Sequence, residues 1–202
     1  MTGFTIALEP FVHLTDEQFF QICQANREVK FERSPQGELI IMPLTGGATG
    51  KYNANLNAQL WNWNEQARLG EVFDSSTCFR LPNGADRSPD AAWVQFERWN
   101  SLTLEQQEKF PPICPDFVVE LRSPSDSLQS LQAKMQEYRE NGAQLGWLIN
   151  CQDCQVEIYR SGQPVEILQS PATISGESIL PGFYSPCSGF GSNPWTLRKV
   201  GG

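Results

Sequence analysis

The 202-residue sequence has one histidine, no long apolar run and fewer basic than acidic side chains. No stretch approaches the roughly 20 apolar residues that a membrane-spanning helix needs, which argues against an integral helical membrane protein. The 15 Lys and Arg against 23 Asp and Glu give a net charge of −8, which argues against a protein that coats nucleic acid non-specifically. An enzyme with a local cleft remains possible, because a site that holds cations must itself be acidic.

The start of the chain bears on its location. Residues 1–12 include Glu9 and Pro10 and no basic segment, so they lack the pattern of a secretory signal peptide. We therefore expect a cytoplasmic protein. The length predicts one domain over residues 1–202, with a core at about 15–185 and an irregular Gly- and Ser-rich tail.

The six cysteines are expected to be thiols in a reducing compartment. Cys151 and Cys154 have a spacing that occurs in zinc sites, and Cys114 and Cys187 could supply the two missing ligands, since the lone His13 lies far away in sequence. A single C-x-x-C is weak, however, and the segment 151–155 also has the composition of a polar turn between two strands. The turn is the favoured interpretation.

Periodicity and turn residues predict alternating helices and strands. A capping box at Thr15 begins an amphipathic helix that ends near Asn26. The glycine-rich loop 45–51 departs from the nucleotide phosphate-loop pattern because Tyr52 follows Lys51, and a helix runs from Tyr52 to about Leu69. The remaining predictions are a hairpin (29–33 and 38–43), strands (71–74, 78–81, 91–96, 145–150, 156–159 and an edge strand at 164–168), a turn (82–86), a helix (99–109) and a core-closing segment (179–183).

The segment 116–126 organises the rest of the chain. Its apolar run predicts a central strand, and Glu120 stands within that run, where a carboxylate is costly to bury without a partner. Period-2 alternation puts Glu120 and Arg122 on one face, so Glu120 is either a structural partner of a cation such as Arg122 or a functional group. A helix follows over 127–141, with Lys134 at the margin of its apolar stripe, and leads to the strand 145–150 as a βαβ unit. The fold class is α/β or α+β, a mixed β-sheet flanked by helices.

Asp90 opens the strand 91–96, about thirty residues before Glu120, a spacing that adjacent strands allow. Two carboxylates on neighbouring strands suit Mg²⁺, which prefers one or two carboxylates, waters and phosphate oxygens. A nearby cation would support charge that develops on a phosphoryl group. Lys134 is the favoured cation, with Lys51 and Arg122 as alternatives.

An ordered set of segments resembles the Uma family of restriction-endonuclease-like proteins. Pro89-Asp90 with Glu120-x-Arg122 resembles the signature of the PD-(D/E)XK nucleases. The wider family resemblance covers most of the chain, from about Thr15 to Phe183, and rests on the segments 37–43 (GELIIMP), 87–94 (RSPDAAWV), 115–126 (PDFVVELRSPSD), 134–138 (KMQEY) and 141–149 (NGAQLGWLI).

The resemblance implies a restriction-endonuclease-like core, phosphodiester hydrolysis that depends on Mg²⁺ or Mn²⁺, DNA as substrate and a homodimer. By the same resemblance Asp90 and Glu120 would hold the metal, and an early acid, Glu38 or Glu32, would complete the site. The sequence departs from the pattern at Arg122, where the nucleases usually have lysine. The resemblance implies that Lys134 fills that role, with Arg122 acting through its charge.

Three functions follow as hypotheses. The first is a metal-dependent DNA endonuclease, which the set Asp90, Glu120 and Lys134 favours. The second is a catalytically inactive nuclease-fold protein that acts as a binding or regulatory module, which the acidic net charge and Arg122 favour. The third is a zinc-stapled interaction module around Cys151 and Cys154. For Glu32 and Glu38 the alternative to a role in the site is that both are solvated charges that flank a hairpin turn.

Overall fold

The computed structural model describes residues 3–190. Within them the α-helices are α1 (Asp16–Ala25), α2 (Gly47–Ala67), α3 (Phe96–Asn100), α4 (Leu104–Glu108) and α5 (Leu128–Glu140), and a 3₁₀ turn spans Cys187–Phe190. The strands are β1 (Phe4–Ile6), β2 (Lys30–Arg33), β3 (Leu39–Met42), β4 (Gly70–Asp74), β5 (Phe79–Arg80), β6 (Asp86–Arg87), β7 (Ala91–Gln95), β8 (Phe117–Leu121), β9 (Leu145–Asn150), β10 (Gln155–Arg160), β11 (Glu166–Gln169), β12 (Thr173–Ser175) and β13 (Tyr184–Pro186).

A six-stranded mixed sheet forms the centre, in the order β11-β10-β9-β8-β7-β4. Only β8 and β9 pair in parallel among these strands, and α5 makes the crossover between them. The other neighbours pair antiparallel. The predicted fold class and the predicted βαβ link are confirmed.

The alternation of apolar residues along β8 covers both faces of this sheet. Phe117 and Val119 belong to the core on the α2 side, while Val118 belongs to the core on the α5 side. Leu56 and Leu60 of α2 complete the first core. Met135 and Tyr138 of α5 complete the second core, as the predicted stripe requires. Helices therefore cover both faces, and α5 packs over the strand that carries Glu120.

A second sheet of five antiparallel strands, in the order β1-β3-β2-β6-β5, corrects the expectation of a single sheet. The predicted hairpin of β2 and β3 is confirmed, but β1 was missed and Asp86 lies in β6 instead of a turn. Strands of two residues are too short to show period-2 alternation. They are held by a buried ion-pair cluster, because the Asp86 carboxylate accepts from Arg33 Nε at 2.7 Å and from Arg80 Nε at 2.9 Å.

Two helix boundaries differ from the prediction. The loop glycines form the first turn of α2, which begins at Gly47 with Gly46 as N-cap instead of at Tyr52. The helix ends at Ala67, where Arg68 adopts a left-handed φ of 50°. Gly70 is already in β4, and glycine is required there because a Cβ atom would lie 2.2 Å from the carbonyl oxygen of Val94.

The predicted helix 99–109 is two short helices, α3 and α4. Thr103 caps α4, because its hydroxyl accepts from the amide of Gln106, whose side chain accepts from the amide of Thr103. This second capping box starts a new helix instead of continuing the first. The capping box predicted at Thr15 for α1 is confirmed.

The segment 179–183 is a turn between β12 and β13, a strand pair that was not predicted. Leu180 and Phe183 in this turn are buried in the α2-side core, as expected of a core-closing segment. The Phe183 ring stacks on Trp147 of β9 with centroids 5.8 Å apart and an interplanar angle of 10°. The part of the predicted tail from residue 191 onwards lies outside the described residues.

The turn interpretation of the Cys151 segment is confirmed, since residues 151–154 connect β9 to β10. All six cysteines are free thiols. Burial raises the pKa of Cys151 to about 11 and that of Cys187 to about 12. No cluster of three or more potential metal-ligating His, Cys, Asp or Glu side chains occurs between Gly3 and Phe190, which argues against the zinc hypothesis.

None of the helices described between Gly3 and Phe190 combines the length and the apolar composition that crossing a bilayer requires.

Candidate active site

Asp90 and Glu120 lie side by side on neighbouring antiparallel strands. Ala91 of β7 pairs with Val119 of β8, so this register puts Asp90 opposite Glu120. The backbone reinforces the arrangement, because the amide of Asp90 donates to the carbonyl of Val119 at 2.9 Å. The amide of Leu121 donates to Oδ2 of Asp90 at 2.8 Å. The predicted pair of carboxylates is therefore brought together at the end of β8.

Lys134 of α5 joins this pair to a third acid. Its Nζ atom lies 2.9 Å from Oε1 of Glu120 and 2.7 Å from Oε1 of Glu32. The lysine side chain is 12% exposed and the two glutamate side chains less, so the three charges are almost removed from water. The second sheet supplies Glu32 from β2, so the early acid that contacts Lys134 is Glu32, while Glu38 lines the same cavity.

Glu120 has a further buried partner on α5, one helical turn after Lys134. The hydroxyl of Tyr138 donates to Oε1 of Glu120 at 3.1 Å. Lys134 and Tyr138 are four residues apart, so both reach the same carboxylate from one helix face. Among residues 3–190 these contacts all fall on Oε1, which leaves Oε2 of Glu120 without a hydrogen bond.

The charges around Glu32 keep it ionised. The amide of Ser88 donates to its Oε1 at 3.0 Å, and Arg87 Nη1 lies 3.3 Å from its Oε2. Burial acts to raise the pKa of Glu32, but the charges of Lys134, Arg87 and Lys30 outweigh burial and lower the pKa to about 2. Glu32 is thus a fixed negative charge that anchors two cations.

The pKa of Glu120 is shifted in the opposite direction from that of Glu32. Burial, together with the negative charges of Asp90 and Glu32, raises its pKa to about 7 in spite of the attraction of Lys134. For Lys134, burial favours the neutral amine, but Glu120 and Glu32 outweigh this effect and raise its pKa above the ordinary value. The ammonium therefore stays protonated at neutral pH, while Glu120 can exchange a proton there and Glu32 cannot.

Two asparagines of α2 hold Asp90 from the other side. Asn53 Nδ2 donates to Oδ1 of Asp90 at 3.0 Å, and Asn57 Nδ2 donates to its backbone carbonyl at 3.1 Å. The Oδ1 atoms of both asparagines are buried and make no hydrogen bond within residues 3–190. Both carboxylate oxygens of Asp90 thus have a donor, which fixes the orientation of the side chain.

A cavity of about 880 Å³ opens onto this group. Asp90, Glu120, Glu32 and Lys134 line it, together with residues 43–49, which lead from β3 into the first turn of α2, and residues 123–127, which lead from β8 to α5. The volume lies within the range of small-molecule and cofactor sites. The buried charges are therefore accessible to a ligand.

Three comparisons bear on this geometry. The family model described as Uma2, "Putative restriction endonuclease", matches residues 16–188. The chain belongs to the Uma2 family. The crystal structure of a "putative nuclease belonging to DUF820" from Anabaena variabilis ATCC 29413 is similar in fold, with a TM-score of 0.69, 19% sequence identity and coverage of 81% of this chain and 90% of that chain. No curated protein matches the sequence.

The Uma2 family resemblance predicted from the sequence is therefore confirmed, and so is a nuclease-like fold. At 19% identity the Anabaena structure supports the fold alone.

The residues of the Uma2 site fit a hard cation that brings its own waters. Between residues 3 and 190 no three His, Cys, Asp or Glu side chains are arranged as a complete metal site. Mg²⁺ needs less from the protein, because one or two carboxylates suffice when waters and phosphate oxygens complete the coordination. Asp90 and Glu120 would supply these two. Burial is the main cause of the raised pKa of Glu120, and the negative charges of Asp90 and Glu32 add a repulsion that a cation would relieve.

The structure does not bring the other candidate residues of the Uma2 site into this group. Arg122 follows the last residue of β8, outside the cavity lining, and its Nη1 lies 3.1 Å from Asp153 and 3.3 Å from Oδ1 of Asn150. Glu38 lines the cavity, but Lys134 pairs with Glu32 instead. Lys51 is exposed and does not line the cavity.

Tyr138, Asn53 and Asn57 were missed as site residues by sequence reasoning. Tyr138 was predicted only as part of the apolar stripe of α5, where its ring is indeed buried. Its spacing of four residues from Lys134 is the signal that could have linked it to Glu120. Asn53 and Asn57 share the same spacing on α2, but nothing in the sequence indicates that they face Asp90.

Proposed function

We propose that this Uma2 chain is a divalent-metal-dependent nuclease that hydrolyses phosphodiester bonds of DNA. The observation that supports this proposal best is the position of Lys134, whose ammonium lies 2.9 Å from Glu120 beside Asp90 in a cavity open to ligands. In this proposal Lys134 on α5 takes the role of the usual strand lysine, whose place in the sequence is occupied here by Arg122.

Asp90 and Glu120 would hold Mg²⁺ or Mn²⁺ in this proposal. When bound, such an ion can activate a water molecule and stabilise negative charge on a phosphoryl group. Both carboxylate oxygens of Asp90 already accept hydrogen bonds, from Asn53 and from the amide of Leu121, and these bonds fix the orientation of the side chain before a metal binds. Glu120 offers the oxygen that lacks a hydrogen bond among residues 3–190.

Lys134 acts through its charge instead of as a base. Its pKa is raised because two carboxylates surround it, so it is a poor proton acceptor at neutral pH. A fixed ammonium in a low-dielectric site stabilises negative charge that develops on the phosphate in the transition state. Glu32 keeps this ammonium in place, because it pairs with Lys134 and is itself anchored by Arg87.

Cleavage of supercoiled plasmid DNA tests the proposal. We expect nicking that requires Mg²⁺ or Mn²⁺ and stops with EDTA, and a loss of at least about 100-fold in Asp90→Asn and in Glu120→Gln. Glu65→Gln is the matched control, since Glu65 is exposed on α2 and outside the cavity lining, and it should retain activity. Cleavage that survives both site substitutions would mean that another site or a contaminant is responsible.

The inactive binding module is the second outcome of the same experiment. Purified wild-type protein that binds Mn²⁺ at Asp90 and Glu120 but cleaves neither duplex nor single-stranded DNA would support that function instead.

We also propose a homodimer, which sedimentation velocity tests. A species of twice the 22.7 kDa chain mass is expected, and a monomer at all concentrations would exclude the dimer.

A further inference from the structure

Three basic side chains line the cavity, and two of them are already paired with acids. Lys134 pairs with Glu32 and Glu120. Arg87 pairs with Glu32 and Glu137. Their positive charges are therefore largely neutralised by acids of the protein and attract an anionic ligand only weakly.

Lys30 is the third basic residue, and it differs from the other two. It opens β2 and shares a strand face with Glu32, two residues later. Its Nζ donates to the carbonyl of Ser88 at 3.3 Å, a neutral acceptor two residues before Asp90. Within residues 3–190 no carboxylate oxygen lies within 4.0 Å of this ammonium, so Lys30 acts on Glu32 only through its charge at longer range.

The acidic side chains that line the same cavity would repel a negatively charged ligand unless a cation offsets them. Six carboxylate side chains line it, namely those of Glu32, Glu38, Asp90, Glu120, Asp126 and Glu137, against three cations. A phosphodiester that entered would meet net negative charge beyond what one divalent metal ion offsets. A cation in this cavity that contacts no carboxylate would lower the electrostatic barrier to the entry of a phosphate group.

We propose that Lys30 binds a phosphate group of the nucleic-acid substrate next to Asp90. The inference rests on the proposed nuclease function and adds a residue that contacts the substrate. Lysine suits this task, because its compact ammonium binds phosphate as a point charge and can exchange the Ser88 carbonyl for a phosphate oxygen. The flexible stem lets it do so without movement of β2.

The test compares Lys30→Met and Lys30→Arg with Lys109→Met. Lys109 is a matched control, because it lies outside the cavity lining, pairs with Glu17 and Glu105, and its loss changes the net charge equally. Binding of a short fluorescein-labelled DNA duplex is followed by anisotropy at several NaCl concentrations, with Ca²⁺ in place of Mg²⁺ to prevent cleavage. Plasmid cleavage with Mg²⁺ is measured on the same samples.

For Lys30→Met we expect the slope of log affinity against log salt to become shallower by about 1, the signature of one lost phosphate contact. The value of kcat/KM should fall about 10-fold, since a charged hydrogen bond is lost. Lys30→Arg should restore most of both, and Lys109→Met should match the wild type. A purely structural role of Lys30 would lower the thermal midpoint without a change in salt slope.

The outcomes separate the two proposals. If the wild type cleaves DNA and Lys30→Met keeps the slope and kcat/KM of Lys109→Met, the phosphate contact is wrong and the nuclease function stands. If the wild type binds DNA with a slope that depends on Lys30 but never cleaves, the nuclease function is wrong and the phosphate contact stands. A wild type that neither binds nor cleaves DNA overturns both.

Discussion

The ammonium of Lys134 lies 2.9 Å from a carboxylate oxygen of Glu120, across the packing interface between α5 and β8. Arg122, two residues after Glu120 in the chain, instead turns to Asp153 and Asn150 at the β9–β10 turn. The cation that serves the carboxylate therefore comes from the following helix instead of from the strand itself. In the proposed nuclease function, this relationship supplies a cation without the usual strand lysine.

Replacement of Lys134 by methionine should cost both stability and activity. The substitution leaves Glu32 and Glu120 buried without their shared cation, which is expected to reduce the free energy of unfolding by about 3 kcal/mol. Urea unfolding measures this loss. Lys109→Met, which breaks exposed ion pairs, should leave it close to the wild-type value.

Lys134→Arg separates charge from geometry in the same position. It keeps a cation near both acids, so we expect most of the stability to return while cleavage stays low, because a guanidinium cannot occupy the same point. Equal cleavage by Lys134→Arg and wild type would mean that the exact position of the charge is unimportant.

Metal affinity should increase with pH around neutrality. The pKa of Glu120 is raised to about 7, so below that pH the carboxyl holds a proton that a metal ion must displace. Above it the carboxylate is free to bind. Calorimetric titration with Mn²⁺ should therefore show affinity that rises between about pH 6 and about pH 8, and Glu120→Gln should remove the dependence. An affinity that is flat across this interval would contradict the assigned role of Glu120.

We expect Asn53 to affect metal binding and cleavage because it orients the carboxylate of Asp90. Asn53→Leu removes the hydrogen bond to Oδ1 of Asp90 and should lower Mn²⁺ affinity and cleavage about 10- to 100-fold, the usual effect of losing a partner that orients a ligand. Stability should change little, because the buried carbonyl oxygen without a partner is removed as well. Asn55→Leu on the same helix is the control, since Asn55 forms no side-chain hydrogen bond among residues 3–190. Equal losses in both variants would point to a general effect on α2.

Arg122→Met should leave cleavage within about 2-fold of the wild type. The side chain lies outside the cavity and pairs with the partly exposed Asp153, so we expect a loss of only about 1 kcal/mol in unfolding free energy. Plasmid cleavage and urea unfolding of the same variant measure the two effects. A loss of activity as large as that of Glu120→Gln would place Arg122 back in the catalytic group.

The sequence predicted the Asp90, Glu120 and Lys134 group because strong periodic signals surround it. The apolar run of β8 makes Glu120 stand out, and the stripe on α5 fixes which face Lys134 borders. By contrast, alternation could not place Arg122, because β8 ends at Leu121 and the chain turns there. The rule that puts every second residue on one face does not extend past the strand.

Glu32 could not be chosen over Glu38 from the sequence for a different reason. Its position depends on how the second sheet docks against the first, and that sheet contains two-residue strands with no periodic signal. Tertiary ion pairs of Asp86 with Arg33 and Arg80 hold it together. The Arg33–Asp86 pair joins residues 53 apart in the chain, and such a contact leaves no local pattern to detect.

The central claim is that Asp90 and Glu120 together hold a divalent cation beside Lys134. The most direct test is a crystal soaked in Mn²⁺, with the anomalous difference density used to locate the ion. We expect one peak between the carboxylates of Asp90 and Glu120, at coordination distance from both, and its loss in Asp90→Asn. An empty site in wild-type crystals at saturating Mn²⁺, or an ion bound elsewhere in the cavity, would contradict the claim.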